Sequence, residues 1–229
     1  MQDTKRSIVA WAFYDWANSA FATTVMAGFF PVFFSAYWAV GSSASEGTFY
    51  LGLANSIGSA IIAILAPFLG SIADWGSYKK RLLAFFALLG AVMTASLSLL
   101  QMGNWPMAVV IYLFAMVGFA GGNTFYDALL PYVASEEKVD FVSSLGYSLG
   151  YIGGGLLFAV NVFMFLNPEW FSIVSQEQAV KLSFVMVGIW WAVFSLPILL
   201  LVKEEKNHAA LPLAPAIKKG LSVTINTVK

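Results

Sequence analysis

The chain has 229 residues, 59% of them hydrophobic and 10% charged, whereas soluble domains average roughly 45–50% apolar and 25% charged residues, so we expect an integral membrane protein. Its formal net charge is zero, which leaves no broad basic face for binding nucleic acid. The chain has no cysteine and a single histidine, His208, which excludes a disulfide framework, a thiolate nucleophile and a cysteine or histidine metal cluster, and we expect no cofactor.

The apolar residues are gathered into six runs. Each run reaches the roughly 20 residues that an α-helix needs to cross the hydrocarbon core of a bilayer. The runs lack the alternation of apolar and polar residues that is typical of membrane β-barrel strands, so the sequence predicts an all-α membrane protein with six transmembrane helices. The runs extend from Ile8 to Val40, Phe49 to Ala73, Leu82 to Met102, Met107 to Ala134, Phe141 to Leu166 and Val180 to Val202.

The basic residues predict the orientation of these helices. If the six runs cross the membrane alternately, only Lys181 lies on one side and every other basic residue lies on the opposite side. By the positive-inside rule the basic side is the cytoplasmic one, so both ends of this segment are expected in the cytoplasm. The residues on that side are Lys5, Arg6, Lys79, Lys80, Arg81, Lys138, Lys203, Lys206, Lys218, Lys219 and Lys229.

The last part of the chain differs from the rest. Residues 1–203 are expected to form the six-helix bundle, and residues 204–229 a cytoplasmic segment. In that segment apolar residues recur at helical spacing beside Lys218 and Lys219, which predicts a short amphipathic helix on the inner membrane face. The chain then stops at Lys229 with no closing structure, so we expect it to be a fragment of a longer protein. The recurring apolar residues are Ile217, Leu221, Ile225 and Val228.

Asp15 and Asp127 are the only carboxylates inside the apolar runs. An acid at the centre of a membrane helix costs roughly 2.5–3.5 kcal/mol, so each is expected to have a partner or a function. At 1.5 Å per residue both lie about 10 Å from the predicted cytoplasmic end of their helices. Asn18 and Ser19 share a helix face with Asp15, and Asn123 shares one with Asp127, since residues three or four apart are neighbours on a helix. If the membrane boundary lay near these positions, each aspartate would instead be an ordinary interfacial acid.

The segment between the second and third runs is GSIADWGSYKKR. Its charges alone are explained by a cytoplasmic loop with a turn glycine. The segment also resembles the Major Facilitator Superfamily signature G-x-x-x-D-(R/K)-x-G-R-(R/K), and the resemblance implies that Asp74 helps to hold the inward-closed state through charge contacts with the other half of the protein. The matching residues are Gly70, Asp74 and Lys79, the departures are Trp75, Ser77 and Tyr78, and Lys80 and Arg81 complete the predicted gating loop.

In the fifth run, Gly146, Gly150 and Gly154 repeat every fourth residue and so lie on one face of a helix. Small residues at this spacing favour close packing between two membrane helices, which is the role we expect for them. The segment also resembles the antiporter pattern G-x-x-x-G-P-x-x-G-G of the same superfamily, but Tyr151 replaces the proline. We therefore infer no antiport.

Two polar segments inside the apolar runs point to one branch of this superfamily. YDWANSAF in the first run and NTFYDALLPYVA in the fourth resemble the branch related to the vacuolar amino-acid effluxers of yeast, whose bacterial members are grouped as unknown major facilitators. The resemblance covers the whole chain but only the first half of a typical twelve-span member. It implies two inverted three-helix repeats, a C-terminal half of the same protein as partner, and a bacterial plasma (inner) membrane as location.

The resemblance also implies a site. In the superfamily the first and fourth helices line the central path, which puts Asp15 and Asp127 on that path. Two acids without a basic partner would repel each other if both were ionised, so one is expected to hold a proton or to attract a cation. The predicted site for a substrate and for a coupling proton or other ion consists of Asp15, Asn18, Ser19, Asn123, Asp127 and Tyr151.

These observations favour a secondary active transporter that moves a small solute by alternating access, and the resemblance makes amino acids or related metabolites the expected substrates. The alternative is a membrane scaffold or assembly subunit without a transport cycle, which would use its amphipathic end for docking. An enzyme is not expected, because the sequence has no HExxH motif or serine dyad. The ATP-binding loop GxxxxGK(S/T) is absent too, so a primary pump would require another subunit.

Overall fold

The described part of the chain is helical throughout. The computed structural model describes residues 2–41, 44–204, 214–219 and 222, and these ranges contain no β-strand. Within these ranges six helices are long and apolar enough to cross a membrane, which confirms the predicted all-α fold and identifies a multi-pass integral membrane protein. We call these helices spans 1 to 6, and they are Lys5–Trp38, Ser45–Ser71, Lys79–Leu99, Trp105–Val133, Val139–Leu166 and Gln176–Leu201.

Several spans depart from a single α-helix. Span 2 belongs to a longer α-helix, Ala44–Gly76. Span 6 is interrupted at Ser195, and Pro197 lies in the first turn of the helix that follows, where its missing N–H group costs no hydrogen bond. The segments of spans 3 and 6 are the α-helix Lys79–Ser96, the 3₁₀ turn Leu97–Leu99 and the α-helices Gln176–Phe194 and Leu196–Leu201, and a 3₁₀ turn, Pro168–Phe171, precedes span 6.

Span 1 changes its helix type twice. It begins as an α-helix after Thr4, whose side chain accepts a hydrogen bond from the Ser7 N–H group as N-cap threonines do. Two stretches are π-helical, which means that their hydrogen bonds reach back five residues. This form is rare in proteins, and where it occurs it is often at a functional site. The segments are α Lys5–Ala20, π Phe21–Phe29, α Phe30–Phe33 and π Phe34–Trp38.

The packing of the spans has an internal symmetry. Span 1 packs against spans 5 and 6, and span 4 packs against spans 2 and 3. Spans 3 and 6 pack against each other, as do spans 1 and 4. Exchanging each span for the one three places away reproduces this set of contacts, and the exchanged spans run in opposite directions. This confirms the predicted pair of inverted three-helix repeats in one bundle.

Glycines set the closest approaches between the spans, as is usual in membrane bundles. A Cβ atom at Gly118 of span 4 would overlap the backbone of Gly90 in span 3, so these helices cross in direct backbone contact. A Cβ atom at Gly188 of span 6 would lie 2.6 Å from the Ala91 carbonyl oxygen of span 3. Large side chains fill the rest of the interior, and the fully buried ones include Trp11, Trp38, Trp191, Tyr14, Phe21 and Phe30.

One end of the bundle, where spans 1, 3 and 5 begin, carries most of the basic residues. Asp3 joins three elements there: its N–H group donates to the Val133 carbonyl oxygen at 2.8 Å, and its carboxylate accepts from the Ser135 N–H group at 3.1 Å and pairs with Lys138 at 3.3 Å. The bond from the Ser135 N–H group lowers the pKa of the Asp3 carboxyl below its usual value. The cytoplasmic assignment of this basic end stays a prediction.

The opposite end contains Lys181, in the first turns of span 6. Its ammonium donates to the Tyr37 hydroxyl at 2.8 Å, pairs with Glu177 at 3.0 Å and lies 4.6 Å from the centre of the Tyr37 ring. These contacts tie the end of span 1 to the start of span 6.

Only part of the predicted amphipathic segment is described. Residues 214–219 are helical. Leu221, Ile225 and Val228, three of the four apolar positions that predicted the amphipathic helix, lie outside the described residues, as do most residues of 204–229. The amphipathic helix and the boundary of the second segment therefore stay predictions.

Candidate functional site

Spans 1 and 4 meet along a seam of aromatic and amide side chains. Trp11, Tyr14 and Asn18 lie on one face of span 1, since residues three or four apart are helix neighbours. The Trp11 indole N–H group donates to the Tyr126 carbonyl oxygen at 3.0 Å, and the two rings stack at 4.0 Å. The Tyr14 ring lies 5.1 Å from the Tyr126 ring. Farther along the seam, Asn18 Nδ2 donates to Asn123 Oδ1, so the two amides predicted beside the acids bond to each other.

The amide pair stabilises the seam because Asn18 is only 2% exposed. A buried amide without a partner costs about 1–3 kcal/mol, because it loses the hydrogen bonds that it makes in water. Glycine allows the close approach: a Cβ atom at Gly122 of span 4 would overlap the Tyr14 hydroxyl oxygen. The seam therefore fixes how spans 1 and 4 are rotated relative to each other.

Span 5 covers another side of span 1 with its predicted glycine face. A Cβ atom at Gly150 would lie 2.7 Å from Ser19 Oγ and 3.0 Å from the Asp15 carboxyl carbon. Cβ atoms at Gly146 and Gly154 would meet atoms of span 1 just as closely. Any larger residue on this face would push span 5 away from the polar side chains of span 1.

Thr23 adds a polar tie between spans 1 and 5 where the π-helical stretch begins. Its hydroxyl lies 3.0 Å from the Ser19 carbonyl oxygen and 3.1 Å from the Gly154 carbonyl oxygen of span 5. Hydroxyl-to-carbonyl bonds of this kind hold membrane helices together where small residues let the backbones approach.

Between spans 1, 4 and 5 lies a cavity of about 250 Å³. Asp15, which is half-buried, directs its carboxylate to this cavity and accepts a hydrogen bond from the Ser19 hydroxyl at 3.2 Å. The exposed rings of Tyr147 and Tyr151, 5.6 Å apart, line it from span 5. The cavity thus combines one carboxylate with amide and hydroxyl groups.

Five of the six predicted site residues line this cavity, and Asp127 does not. It lies one helical turn beyond Asn123 on the same face of span 4, but it is exposed and outside the lining. The sequence placed both acids at one depth, and depth alone could not show that a neighbouring helix covers one acid and leaves the other open. The residues brought together as predicted are Asp15, Asn18, Ser19, Asn123 and Tyr151.

Some lining residues were missed by the sequence reasoning. Thr23 had a usable signal, because it continues the four-residue spacing from Asp15 through Ser19. Phe119 had none, because an aromatic residue in an apolar run is most often part of the core. The missed residues are Ala22, Thr23 and Phe119, and Gly150 was predicted for helix packing only.

The chemistry of the cavity follows from its side chains. No basic residue is among the described residues that line it, so a charged Asp15 has no cationic partner among them. A carboxylate in such a place attracts a proton or a cationic group. An amide side chain has two donor hydrogens and an acceptor oxygen, so Asn18 and Asn123 can each bind a solute in addition to each other.

The loop between spans 2 and 3 is bonded to the end of span 6. The N–H groups of Lys79 and Lys80 donate to the two carboxylate oxygens of Glu204 at 2.9 and 3.1 Å, so this carboxylate caps the start of span 3. The Lys80 ammonium donates to the Val202 carbonyl oxygen at 2.7 Å. The side chain of Asp74 lies outside the described part of the structure. A gating role for Gly70, Asp74, Lys79, Lys80 and Arg81 stays a prediction.

Comparison with known proteins places the chain in a family. The family model described as "Vacuole effluxer Atg22 like" matches residues 37–140 and 135–229. The MFS-type transporter YxiO of Bacillus subtilis, itself uncharacterized, is 36% identical over 222 residues, which cover 96% of this chain and 50% of YxiO. Autophagy-related protein 22 of Pichia angusta is 27% identical over 211 residues, which cover 78% of this chain and 37% of that protein.

A more distant bacterial relative agrees with these two. An uncharacterized protein of Aquifex aeolicus is 27% identical over 166 residues, which cover 72% of this chain and 41% of that protein. The chain thus spans about half the length, or less, of the curated relatives it matches. No solved structure gives a significant match. The family model and the relative YxiO together show that the chain belongs to the Atg22-like vacuole effluxer family.

Proposed function

We propose that this chain forms one half of a secondary active transporter that moves a small solute across a membrane by alternating access. The family description and the name of the relative YxiO support transport. The observation that carries the proposal is the cavity of about 250 Å³ between spans 1, 4 and 5, whose lining includes a carboxylate, two amides and several hydroxyl groups. Ligand pockets for drug-sized molecules measure roughly 300–1,000 Å³, so this volume favours a solute of amino-acid size.

Amino acids or related metabolites are the proposed substrates. Asp15 supplies the negative charge that a substrate ammonium group or a coupling proton would neutralise, and within the described part of the chain no basic residue lines the cavity to compete for it. The amides of Asn18 and Asn123 would then orient the rest of the solute through their remaining donor and acceptor groups. Tyr151 would contact its apolar part.

Asp127 is assigned a secondary role as a second proton or cation site on the same path. It shares a helix face with Asn123 and lies one turn away from it, outside the cavity lining. A cation that moves from the cavity along this face of span 4 would pass Asn123 and then meet Asp127. Because Asp127 is exposed, its loss should weaken transport less than the loss of Asp15.

The second half of the protein is the proposed partner, since the curated relatives are at least about twice as long as this chain. Tyr147 and Tyr151 are 65% and 70% exposed on span 5. Aromatic side chains are enriched at the buried centres of interfaces, so these two rings fit a surface that the second half covers. The basic end of the bundle would face the cytoplasm of a bacterial cell.

Uptake of radiolabelled amino acids into proteoliposomes tests the role of Asp15 in the full-length protein. We expect Asp15→Asn to lower the initial rate at least about tenfold, the effect of losing roughly 1.4 kcal/mol of binding free energy. Asp127→Asn should lower it only about two- to threefold on the same scale. Glu137→Gln, which removes an exposed carboxylate at the basic end, should leave uptake unchanged. Normal uptake by both aspartate variants would overturn the proposal.

Cysteine labelling separates a transporter from a membrane scaffold. This chain has no cysteine, so single cysteines at Ser19 or Asn123 can be introduced into a full-length protein freed of any others. A transporter should expose both positions to a water-soluble maleimide, and a transported solute should slow the labelling. A scaffold without a path should leave both positions unlabelled under all conditions.

A further inference from the structure

A second cavity lies at the basic end of the bundle, away from the seam of spans 1 and 4. It has a volume of about 520 Å³ and is enclosed by the start of span 1, the end of span 4 and the end of span 6. Arg6 and Lys203 bring two positive charges to it, and Ser7 and Tyr132 bring two hydroxyl groups. Both cations are exposed, and neither makes an ion pair with another described residue.

Hydroxyl groups in the second cavity are arranged to receive an acceptor. Thr4 Oγ1 donates to Ser7 Oγ at 2.9 Å, which leaves the Ser7 hydroxyl hydrogen available. The Lys79 ammonium donates to the Tyr132 hydroxyl oxygen at 3.1 Å, which leaves the Tyr132 hydroxyl hydrogen available as well. The site therefore favours a group with several negatively charged oxygens.

An apolar groove continues from the second cavity along spans 1 and 6. The groove and the cavity share Arg6 and Leu201, and the groove runs on past Val9 and Phe13 to Pro197. Its volume is about 460 Å³ and no polar atom contributes to its surface. Arg6 and Phe13 are two helical turns apart, so the groove extends roughly 10 Å from the charged end toward the middle of the bundle.

We propose that this cavity and groove bind one anionic phospholipid. Arg6 and Lys203 hold the phosphate, the guanidinium as a fork of parallel donors and the ammonium as a point charge. One acyl chain lies in the groove against Val9 and Phe13. Basic pockets between membrane helices suit anionic head groups, and an entirely apolar channel leading away from such a pocket suits the chain that follows.

Native mass spectrometry of the full-length protein in mild detergent tests this proposal. We expect one dioleoyl phosphatidylglycerol to bind at least about tenfold more tightly than dioleoyl phosphatidylcholine. Arg6→Gln should abolish that preference, whereas Arg81→Gln, which removes the same charge from the same end outside the cavity, should keep it. Val9→Trp, which fills the groove, should weaken binding of both lipids. Circular dichroism verifies that each variant is folded.

Inorganic phosphate separates a lipid from a free anion. If millimolar phosphate displaces the lipid and Val9→Trp has no effect, the cavity takes a soluble phosphate group and the lipid proposal is overturned. Equal retention of both lipids by the unaltered protein, or an unchanged preference in Arg6→Gln, overturns it as well. None of these outcomes depends on transport, so the lipid site and the proposed function can fail separately.

Discussion

The tripeptide Phe-Tyr-Asp occurs in span 1 and again in span 4, and the structure gives its two aspartates different surroundings. The tyrosines of the two copies meet in the seam with their rings 5.1 Å apart. Asp15 is half-buried in the cavity and accepts a bond from Ser19, whereas Asp127 is exposed outside the lining. The covering helix makes the difference, because Gly150 lets span 5 lie directly on Asp15.

This contrast shows that depth along a helix does not determine the environment of a membrane acid. The cost of a carboxylate in a membrane helix depends on the water and polar groups that reach it. Asp127 is exposed on span 4, with no described helix covering it. Asp15 accepts a hydrogen bond from the Ser19 hydroxyl and lines the cavity. Each of the following predictions tests one part of this contrast.

The largest effect is expected from Gly150→Val, which disrupts the packing of span 5 against Asp15. The added Cβ atom would lie 2.7 Å from Ser19 Oγ and 3.0 Å from the Asp15 carboxyl carbon, so span 5 must move away. Overpacking of this kind costs about 1–3 kcal/mol. We expect uptake in proteoliposomes to be abolished and the thermal unfolding temperature in detergent to fall.

Gly155→Val is the matched control for Gly150→Val. A Cβ atom at Gly155 would meet nothing within 4 Å, so the same substitution five residues further along span 5 should change neither uptake nor unfolding temperature. If both variants behaved alike, the close contact between span 5 and Asp15 would not be what shapes the site.

A smaller effect is expected at the amide pair, Asn18 and Asn123, that joins spans 1 and 4. Asn123→Ala removes the acceptor of Asn18 and leaves a buried amide without its partner, which should cost about 1–3 kcal/mol of unfolding free energy. Thr124→Ala removes a hydroxyl that bonds only within its own helix, to the Ala120 carbonyl oxygen at 3.0 Å, and should cost less than about 0.5 kcal/mol. Unfolding in mixed micelles measures both.

A double substitution refines the test of the amide pair. In the double variant Asn18→Ala/Asn123→Ala no amide is left unpaired. Its loss of unfolding free energy should therefore be smaller than the sum of the losses in the two single variants, by about 0.5–1.5 kcal/mol. Strict additivity would mean that the two amides do not bond in the protein.

The smallest effect concerns Asp3, an aspartate outside the spans with a complete set of partners. The bond from the Ser135 N–H group lowers the pKa of the Asp3 carboxyl below its usual value of 3.8. Stabilisation by such a group is fully present above the usual pKa and is lost as the pH falls through the lowered pKa. Asp3→Asn should therefore flatten the acid side of a plot of unfolding temperature against pH between about pH 5 and 2.

Two results would contradict the Asp3 prediction. One is an acid limb that is unchanged in Asp3→Asn. The other is a stability loss in Asp3→Asn that is confined to alkaline pH. Glu136→Gln, at an exposed carboxylate in the loop between spans 4 and 5 next to Ser135, serves as the control and should leave the acid limb as it is.

Much of this architecture could be predicted because hydrophobicity dominates a membrane fold. The apolar runs determine six helices, and polar residues inside them, such as Asp15 and Asn18, are costly enough to mark the site. The lining by Phe119 could not be predicted, since an aromatic side chain in an apolar run carries no local sign of its neighbours. The exposure of Asp127 could not be predicted either, because it depends on which helix covers span 4.

Contacts between distant parts of the chain were also beyond the sequence. Glu204 was expected only as the first residue of the cytoplasmic segment 204–229, yet it caps the start of span 3 through the N–H groups of Lys79 and Lys80. The glycine face of span 5 was predicted as a packing surface, but its partner, the polar face of span 1, depends on the helix arrangement. Sequence periodicity identifies a face without identifying what lies against it.

The π-helical stretch Phe21–Phe29 has a consequence for how this family tolerates insertions and deletions. A π turn closes its hydrogen bond over one residue more than an α turn. Deleting one residue there can return a turn to α geometry while the helical segments before and after it keep their orientation about the helix axis. The polar side chains that precede the stretch and the aromatic side chains that follow it would therefore keep their present neighbours. Length variation in the first span of relatives should therefore concentrate between residues 21 and 29, and a one-residue gap there should be read as a change of helix type.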